Sequence, residues 1–224
     1  MLKGAGTASG AVNFVRKRPQ ATPTTSLGLS AGTWDNYHAE LDTGGPLNDS
    51  GTVRGRASVS QQNRGSYMDL AKRQDQAFYA ALDMDVSPDT TLGFGASYED
   101  VDSTPCWSGL PRYRDGKSLG LSRSTCLGQA WNDWQSQRTT LFADMTHHFN
   151  DNWKLKVSAV HSRNLQDIKY AASESTVDYG NPAPTLTSYA ALLDYDHKDY
   201  GLDAYIDGQF EAFGLQHELI LGAN

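Results

Sequence analysis

The chain has few apolar residues in sequence, few cysteines and no excess of positive charge. Its longest apolar runs, such as Ala190-Ala191-Leu192-Leu193, fall far short of the ~20 consecutive residues that a bilayer-crossing helix needs, so a helical membrane protein is excluded. Mean hydropathy is low at -0.55. That value leaves a transmembrane β-barrel open, because such a barrel carries its apolar surface in every second residue. Nineteen Lys and Arg stand against 26 Asp and Glu, a net charge of -7, where a general nucleic-acid binder carries a basic excess. The one basic run, Arg16-Lys17-Arg18 with Pro19 behind it, reads as a solvated strand end rather than a nuclear-localisation cluster. Met1 to Gly10 has no apolar core of a cleaved leader; either the protein is cytoplasmic or its N-terminus lies upstream.

Motifs of catalysis are equally thin. The six histidines are dispersed, and His147 and His148, adjacent on a strand, point to opposite faces. No His-Glu-x-x-His or zinc spacing occurs, so no metal site is expected. Gly4-Ala5-Gly6 with Gly10 lacks the Gly-Lys-Ser/Thr of a P-loop and reads as a tight, glycine-rich turn. Neither a catalytic set nor a resident cofactor is expected. The only two cysteines, Cys106 and Cys126, are either bridged or independent thiols. A bridge would close a loop of about 20 residues, contribute roughly 3 kcal/mol and require an oxidising compartment.

Alternation with period two is what the sequence has in abundance. Apolar or small residues recur at Leu27, Leu29 and Ala31; at Tyr37, Ala39 and Leu41; and at Val53, Ala57 and Val59. The pattern continues at Phe78 to Val86, Leu92 to Tyr98, Leu141 to Met145, Trp153 to Ala159, Tyr200 to Ile206, and Leu219 with Leu221. Nine antiparallel strands are expected, an odd number that leaves a barrel sheet unfinished. Short Asn/Asp/Gly/Pro turns at 46–51, 87–90, 150–152 and 211–215 alternate with long links at 63–72, 103–135 and 166–188. Outer-membrane barrels sort their connections in this way.

Hairpin arithmetic sharpens the expectation. A turn centred on Asn48 sets Glu40 opposite Arg56, Asp42 opposite Arg54, Leu41 opposite Gly55 and Thr43 opposite Val53. A turn at Asp151 pairs Phe149 with Trp153, Met145 with Val157 and His148 with Lys154. One face is then apolar and the other carries paired charges. Tyr37, Tyr98, Phe149, Trp153, Tyr200, Phe210 and Phe213 gather at strand ends, as in an aromatic girdle. A soluble β-sandwich binding module and a small passive barrel, porin-like or adhesin-type, are the alternatives.

The polar segment from Ser103 to Gln137 holds Trp107, Tyr113, Trp131 and Trp134 among Arg112, Arg114 and Arg123, with Arg138 just beyond. Aromatic faces interleaved with Arg suit a flat, anionic or metal-chelate ligand. Trp131 and Trp134 are equally readable as interface anchors.

The run from Gly4 to Pro19, Gly-Ala-Gly-Thr-Ala-Ser-Gly-Ala-Val-Asn-Phe-Val-Arg-Lys-Arg-Pro, resembles the closing segment of the plug in TonB-dependent ferric-siderophore receptors of the coprogen, ferrioxamine and pyoverdine type. Ser30 to Tyr37, Asp42 to Asn48, Ser87 to Leu92, Trp107 to Pro111 and Leu202 to Tyr205 are similar to that family as well. The resemblance implies an all-β chain: a plug end over residues 1–22, then about nine strands over 23–224 of a 22-stranded plugged outer-membrane barrel. It further implies binding of an iron(III)-siderophore complex, drive by the TonB complex, contact with outer-membrane lipid, and a ligand-facing placement for Trp107, Arg112, Tyr113, Trp131 and Trp134.

Overall fold

The computed structural model describes residues 15–107, 109–173, 176–177 and 188–224. Most of the plug-like string, from Gly4 to Phe14, and the glycine-rich turn expected there lie outside these residues. So does most of the link after Ser173.

All nine expected strands form, each longer than its alternating centre: β1 (Thr24–Gly32), β2 (Asn36–Pro46), β3 (Val53–Arg64), β4 (Lys72–Ser87), β5 (Thr90–Thr104), β7 (Asp133–Asn150), β8 (Trp153–Ser173), β10 (Ser188–Ala212) and β11 (Leu215–Ala223). They build one antiparallel meander in the order β1-β2-β3-β4-β5-β7-β8-β10-β11. Two short strands the alternation did not show, β6 (Arg112–Tyr113) and β9 (Thr176–Val177), pair in parallel to join two of the long links. The string Gly28-Leu29-Ser30-Ala31-Gly32 has the spacing of a hydrolase nucleophile elbow. It lies inside β1, paired along its length with β2, without the strand-to-helix turn that exposes such a serine.

The expected links are shorter than drawn. Gln166 to Ser173 belongs to β8, Asp133 to Gln135 to β7, and Asn63 and Arg64 to β3. These stretches are too polar for a lipid face, so lipid-style alternation fades there while backbone pairing continues. Their strands stand beyond the apolar band toward the long-loop end.

Two expected registers are corrected. Glu40 pairs with Ser60 and Asp42 with Ser58, while Arg56 faces Gly44 and Arg54 faces Pro46. The turn therefore centres near Ser50 rather than Asn48, where Asn48 Oδ1 accepts from the Val53 N–H at 3.0 Å. In the second hairpin Met145–Val157 and His148–Lys154 pair as expected, but a bulge between His148 and Asn150 sets Asn150, not Phe149, opposite Trp153. Phe149 is left to pack edge-on against His147, centroids 4.8 Å apart.

The sheet has one bare face. Leu29, Leu202 and Leu221 are 72%, 66% and 68% exposed, and the buried apolar residues among those described are only Ala81, Phe142, Ile168, Ala171 and Ala172. A soluble sandwich covers such a face with a second sheet; among the described residues no strand does so. Lipid does. From Trp153 to His161 the bare face of β8 runs ~26 Å along the strand at ~3.3 Å per residue, matching the apolar band of an outer-membrane wall. Rings close the band at both ends: Trp153 on Phe210 and Phe210 on His217 at the short-turn end, and His161 on Tyr200 toward the long loops.

Candidate functional site

The long-loop end brings four rings together on the inward face. Trp134 is the second residue of β7 and shares its parity with Phe142 and Asp144. Tyr170 on β8 and Tyr189 on β10 occupy the corresponding positions of their strands, across the register Ala172–Tyr189 and Ile168–Trp134. Trp107 folds back from the loop between β5 and β7 to meet Trp134 edge-on at 5.2 Å and Tyr170 at 4.6 Å; Tyr170 in turn meets Tyr189 at 6.1 Å.

A polar clasp holds this cluster. Asn132, only 3% exposed, donates from Nδ2 to the carbonyls of Pro105 (3.3 Å) and Ala171 (3.2 Å), and its Oδ1 accepts from the Ala171 N–H at 2.8 Å. Both ends of the 105–132 loop are thereby sewn to β8. Cys106 and Cys126 are joined by a disulfide, Cα to Cα 5.8 Å, immediately beside Trp107. Trp134 Nε1 is buried with no acceptor among the described residues, an unmade bond that costs about 1–3 kcal/mol.

The five expected ligand residues do not form one group. Trp107 and Trp134 meet. Trp131 instead packs under Lys169, whose Nζ lies 5.2 Å from the ring centroid, and Lys169 has the outward parity of Asp167 and Leu165. Trp131 is thus on the opposite side of the wall from Trp134. Arg112 and Tyr113 lie further along the loop in β6, where a turn closes through the Gly116 N–H to the Tyr113 carbonyl at 2.8 Å and Arg112 Nη1 donates to the Gly116 carbonyl at 3.3 Å. Pairing of β6 with β9 ties this tip to the link after β8. On the other flank the Asp69 N–H donates to the Ser124 carbonyl at 2.7 Å, and the Arg123 guanidinium lies 5.5 Å over Tyr67. The rim is therefore continuous across three links.

Sequence reading missed Tyr170, Tyr189 and Asn132. The signal for Tyr170 was present in the alternation Ile168, Tyr170, Ala172; Asn132 carries no comparable signal. Replacing both cysteines by Ser is expected to leave the wall folded, by heat-modifiable gel mobility. It removes the loop-closure term of about 3 kcal/mol and accelerates tryptic cleavage at Arg112, Arg114 and Arg123.

A second constellation lies deeper in the inward face, and it corrects the reading of Arg16-Lys17-Arg18 as a solvated strand end. Arg18 donates from Nε and Nη2 to Asp83 at 3.1 and 2.8 Å, and from Nη1 to Asp144 at 2.5 Å. Lys17 Nζ lies 3.1 Å from Asp42 and 3.7 Å from Glu40. The Arg16 guanidinium sits 4.2 Å over Phe142, which stacks on Tyr79; the Tyr79 hydroxyl donates to the Lys17 carbonyl at 2.6 Å. Arg56 donates to Asp42 at 2.8 and 2.7 Å and to the Arg18 carbonyl at 3.1 Å. It reaches Asp42 diagonally because the residue facing it, Gly44, has no side chain: a Cβ there would stand 3.2 Å from Arg56 Cβ. Burial by itself would lower the Arg18 pKa, but its bonds to Asp83 and Asp144 outweigh that and raise it. Three carboxylate-bearing strands, β2, β4 and β7, thus grip one basic segment.

An antiparallel meander with a lipid-facing apolar band, ring girdles, a charged inner face and long loops at one end is the wall of an outer-membrane β-barrel. A chain segment is clamped against that inner face, as a plugged barrel requires of the residues that join plug to wall. No protein-family profile matches the chain. It is 59% identical over its whole length to the ferric-pyoverdine M114 receptor PbuA of Pseudomonas sp. (strain M114), covering 27% of that protein. It is 36% identical to the ferripyoverdine receptor of Pseudomonas aeruginosa, covering 28%. The structure of the pyoverdine outer-membrane receptor FpvA from Pseudomonas aeruginosa PAO1 bound to pyoverdine superposes with a TM-score of 0.86 at 35% identity, over 96% of this chain and 32% of that one. The chain is therefore a wall segment of an outer-membrane β-barrel that is similar over its whole length to ferric-pyoverdine receptors, and it spans about a quarter of the length of the curated relatives it matches. Those relatives are receptors rather than small passive barrels.

Proposed function

We propose that the receptor carrying this segment imports a ferric siderophore of the pyoverdine type, with residues 1–22 closing the plug and residues 23–224 forming the first part of the wall. The observation that carries this reading is the pairing of two inward constellations: an aromatic, disulfide-braced cluster at the long-loop end and an ion-paired anchor below it. The iron(III) complex is the cargo and needs no resident cofactor. Its flat, π-bearing and anionic parts suit Trp107, Trp134, Tyr170 and Tyr189 by stacking, while Arg112, Tyr113 and Arg123 sit on the rim it must pass. Trp134 Nε1 offers a donor that a ligand oxygen would satisfy. When TonB pulls on the plug, Lys17 and Arg18 hold its last residues to β2, β4 and β7, so the plug moves about a fixed end.

Uptake of radio-iron supplied as ferric pyoverdine, compared between a deletion strain and the same strain complemented with the intact gene, tests this. Uptake is expected to fall to background in the deletion and to return on complementation, with ferric catecholate uptake unchanged. Unchanged ferric-pyoverdine uptake in the deletion overturns the reading.

A further inference from the structure

The outward face of β7, β8 and β10 carries an ordered sequence of chemistries that the siderophore reading does not use. Within the apolar band lies a trough of about 510 Å³ bordered by Leu141, Ala143, Ala159 and Leu202 and closed by His161 and Tyr200. Its floor is low because Ala143 pairs directly with Ala159, small residues facing each other between larger flanks. At its upper end His161 and Tyr200, paired across the strands, stack with centroids 4.5 Å apart at 22°. Tyr200 is 77% exposed.

One row further out Arg163 pairs with Lys198. Arg163 donates from Nε and Nη2 to Asp196 at 2.9 Å each, and Lys198 Nζ lies 3.9 Å from the same carboxylate. Asp196 thereby fixes two cations at one height without using all of their donors. Beyond that, Asp167 stands directly opposite Asp194, a like-charge row that repels an anion. Along one pair of strands the order is apolar trough, ring shelf, cations, carboxylates.

We propose that this face binds the phosphorylated, multi-acyl glycolipid of the outer leaflet, lipid A, with an acyl chain in the trough and a phosphate on Arg163 and Lys198. An acyl chain, a head-group boundary and a phosphate follow one another along a lipid in the same order. The ring pair has the amphipathic character favoured at that boundary, and two fixed cations offer charge-assisted hydrogen bonds to phosphate oxygens. The acidic Asp167–Asp194 row confines the phosphate to one depth. The inference rests on the receptor reading only for placing the long-loop end in the outer leaflet.

Native mass spectrometry of the intact receptor, titrated with diphosphorylated lipid A and with its dephosphorylated form, tests the proposal. The wild type is expected to hold the diphosphorylated form about tenfold more tightly. The variant R163Q/K198Q should lose that preference, and so should R163Q/D196N/K198Q, in which Asp196 is not left as a carboxylate without its cations. Lys156→Gln, on the inward face of β8, should keep it. Heat-modifiable mobility verifies that each variant is folded. Equal binding of the two lipids by the wild type, or an undiminished preference in both glutamine variants, overturns the proposal. Ferric-pyoverdine binding is measured on the same samples: its retention with no lipid preference refutes only this inference, and its absence refutes the receptor reading.

Discussion

Arg18→Ala is expected to destabilise the intact receptor by about 3 kcal/mol, at the lower end of the cost of breaking a buried ion pair. The lower end applies because Arg18 is itself 40% exposed, whereas its partners Asp83 and Asp144 are each 9% exposed. Removing the guanidinium leaves two carboxylates, on β4 and β7, sharing one inward pocket with no cation between them. Denaturant unfolding of the refolded receptor measures the loss. The double replacement D83N/D144N in the Arg18→Ala background should recover most of it, because the carboxylate repulsion and the desolvated charges disappear together. An Arg18→Ala variant as stable as the wild type would show that the anchor is ornamental.

Gly93 gives an independent route to the same result. A Cβ at Gly93 would stand 2.7 Å from Arg18 Nη2 and 2.8 Å from Asp144 Oδ2, so Gly93→Val displaces the guanidinium from its seat. Its effect and that of Arg18→Ala should therefore be far from additive, since both remove one shared interaction.

Trp134→Ala is expected to weaken ferric-siderophore binding by about thirtyfold, and Trp131→Ala to leave it within about twofold. The first figure corresponds to about 2 kcal/mol, the cost of truncating a buried aromatic contact at a binding surface. The contrast follows from the wall: Trp134 faces inward with Trp107 and Tyr170, while Trp131 packs under outward-facing Lys169. Quenching of tryptophan emission by the ferric complex gives the affinities. Trp134→Phe separates stacking from hydrogen bonding. If the ligand accepts from Nε1, this variant loses about tenfold; if only the ring face is used, it binds almost as the wild type does. A Trp131→Ala loss equal to that of Trp134→Ala would contradict the division of the two rings between faces.

The strands were legible because a lipid-facing wall forces strict alternation: Phe78 to Val86 and Trp153 to Ala159 have no other way to bury their side chains in hydrocarbon. Legibility stopped where the wall leaves the membrane. Gln166 to Ser173 and Asp133 to Gln135 pair as firmly as the rest, but their outward face carries Asp167, Lys169 and Asp133, so lipid-style alternation fades there and only the inward face, with Ile168, Tyr170 and Ala172, keeps an apolar period. Registers were readable where a tight turn leaves no slack, as at Met145–Val157. They were misread where glycine or a bulge intervenes: Arg56 was drawn toward an acidic partner, and it does bind Asp42, but diagonally across the gap at Gly44.

The candidate site was half visible. Aromatic and Arg residues in one polar segment pointed to the loop, and two of the five residues chosen there meet. Which ring faces which way depends on the parity of strands whose extent the sequence left open, and Trp131 packs under Lys169, apart from Trp107 and Trp134. Tyr170, Tyr189 and Asn132 come from positions distant in sequence and are united only by pairing.

By itself the sequence determined the all-β wall, its two faces, the sorting of short turns and long links, and a resemblance to siderophore receptors, because each depends on local period and spacing. Only the tertiary structure decided what the basic triplet does. Arg16, Lys17 and Arg18 read as a solvated end until β2, β4 and β7 bring Asp42, Asp83 and Asp144 to one place. Charges so far apart in the chain can compensate one another only after the sheet has set their distance.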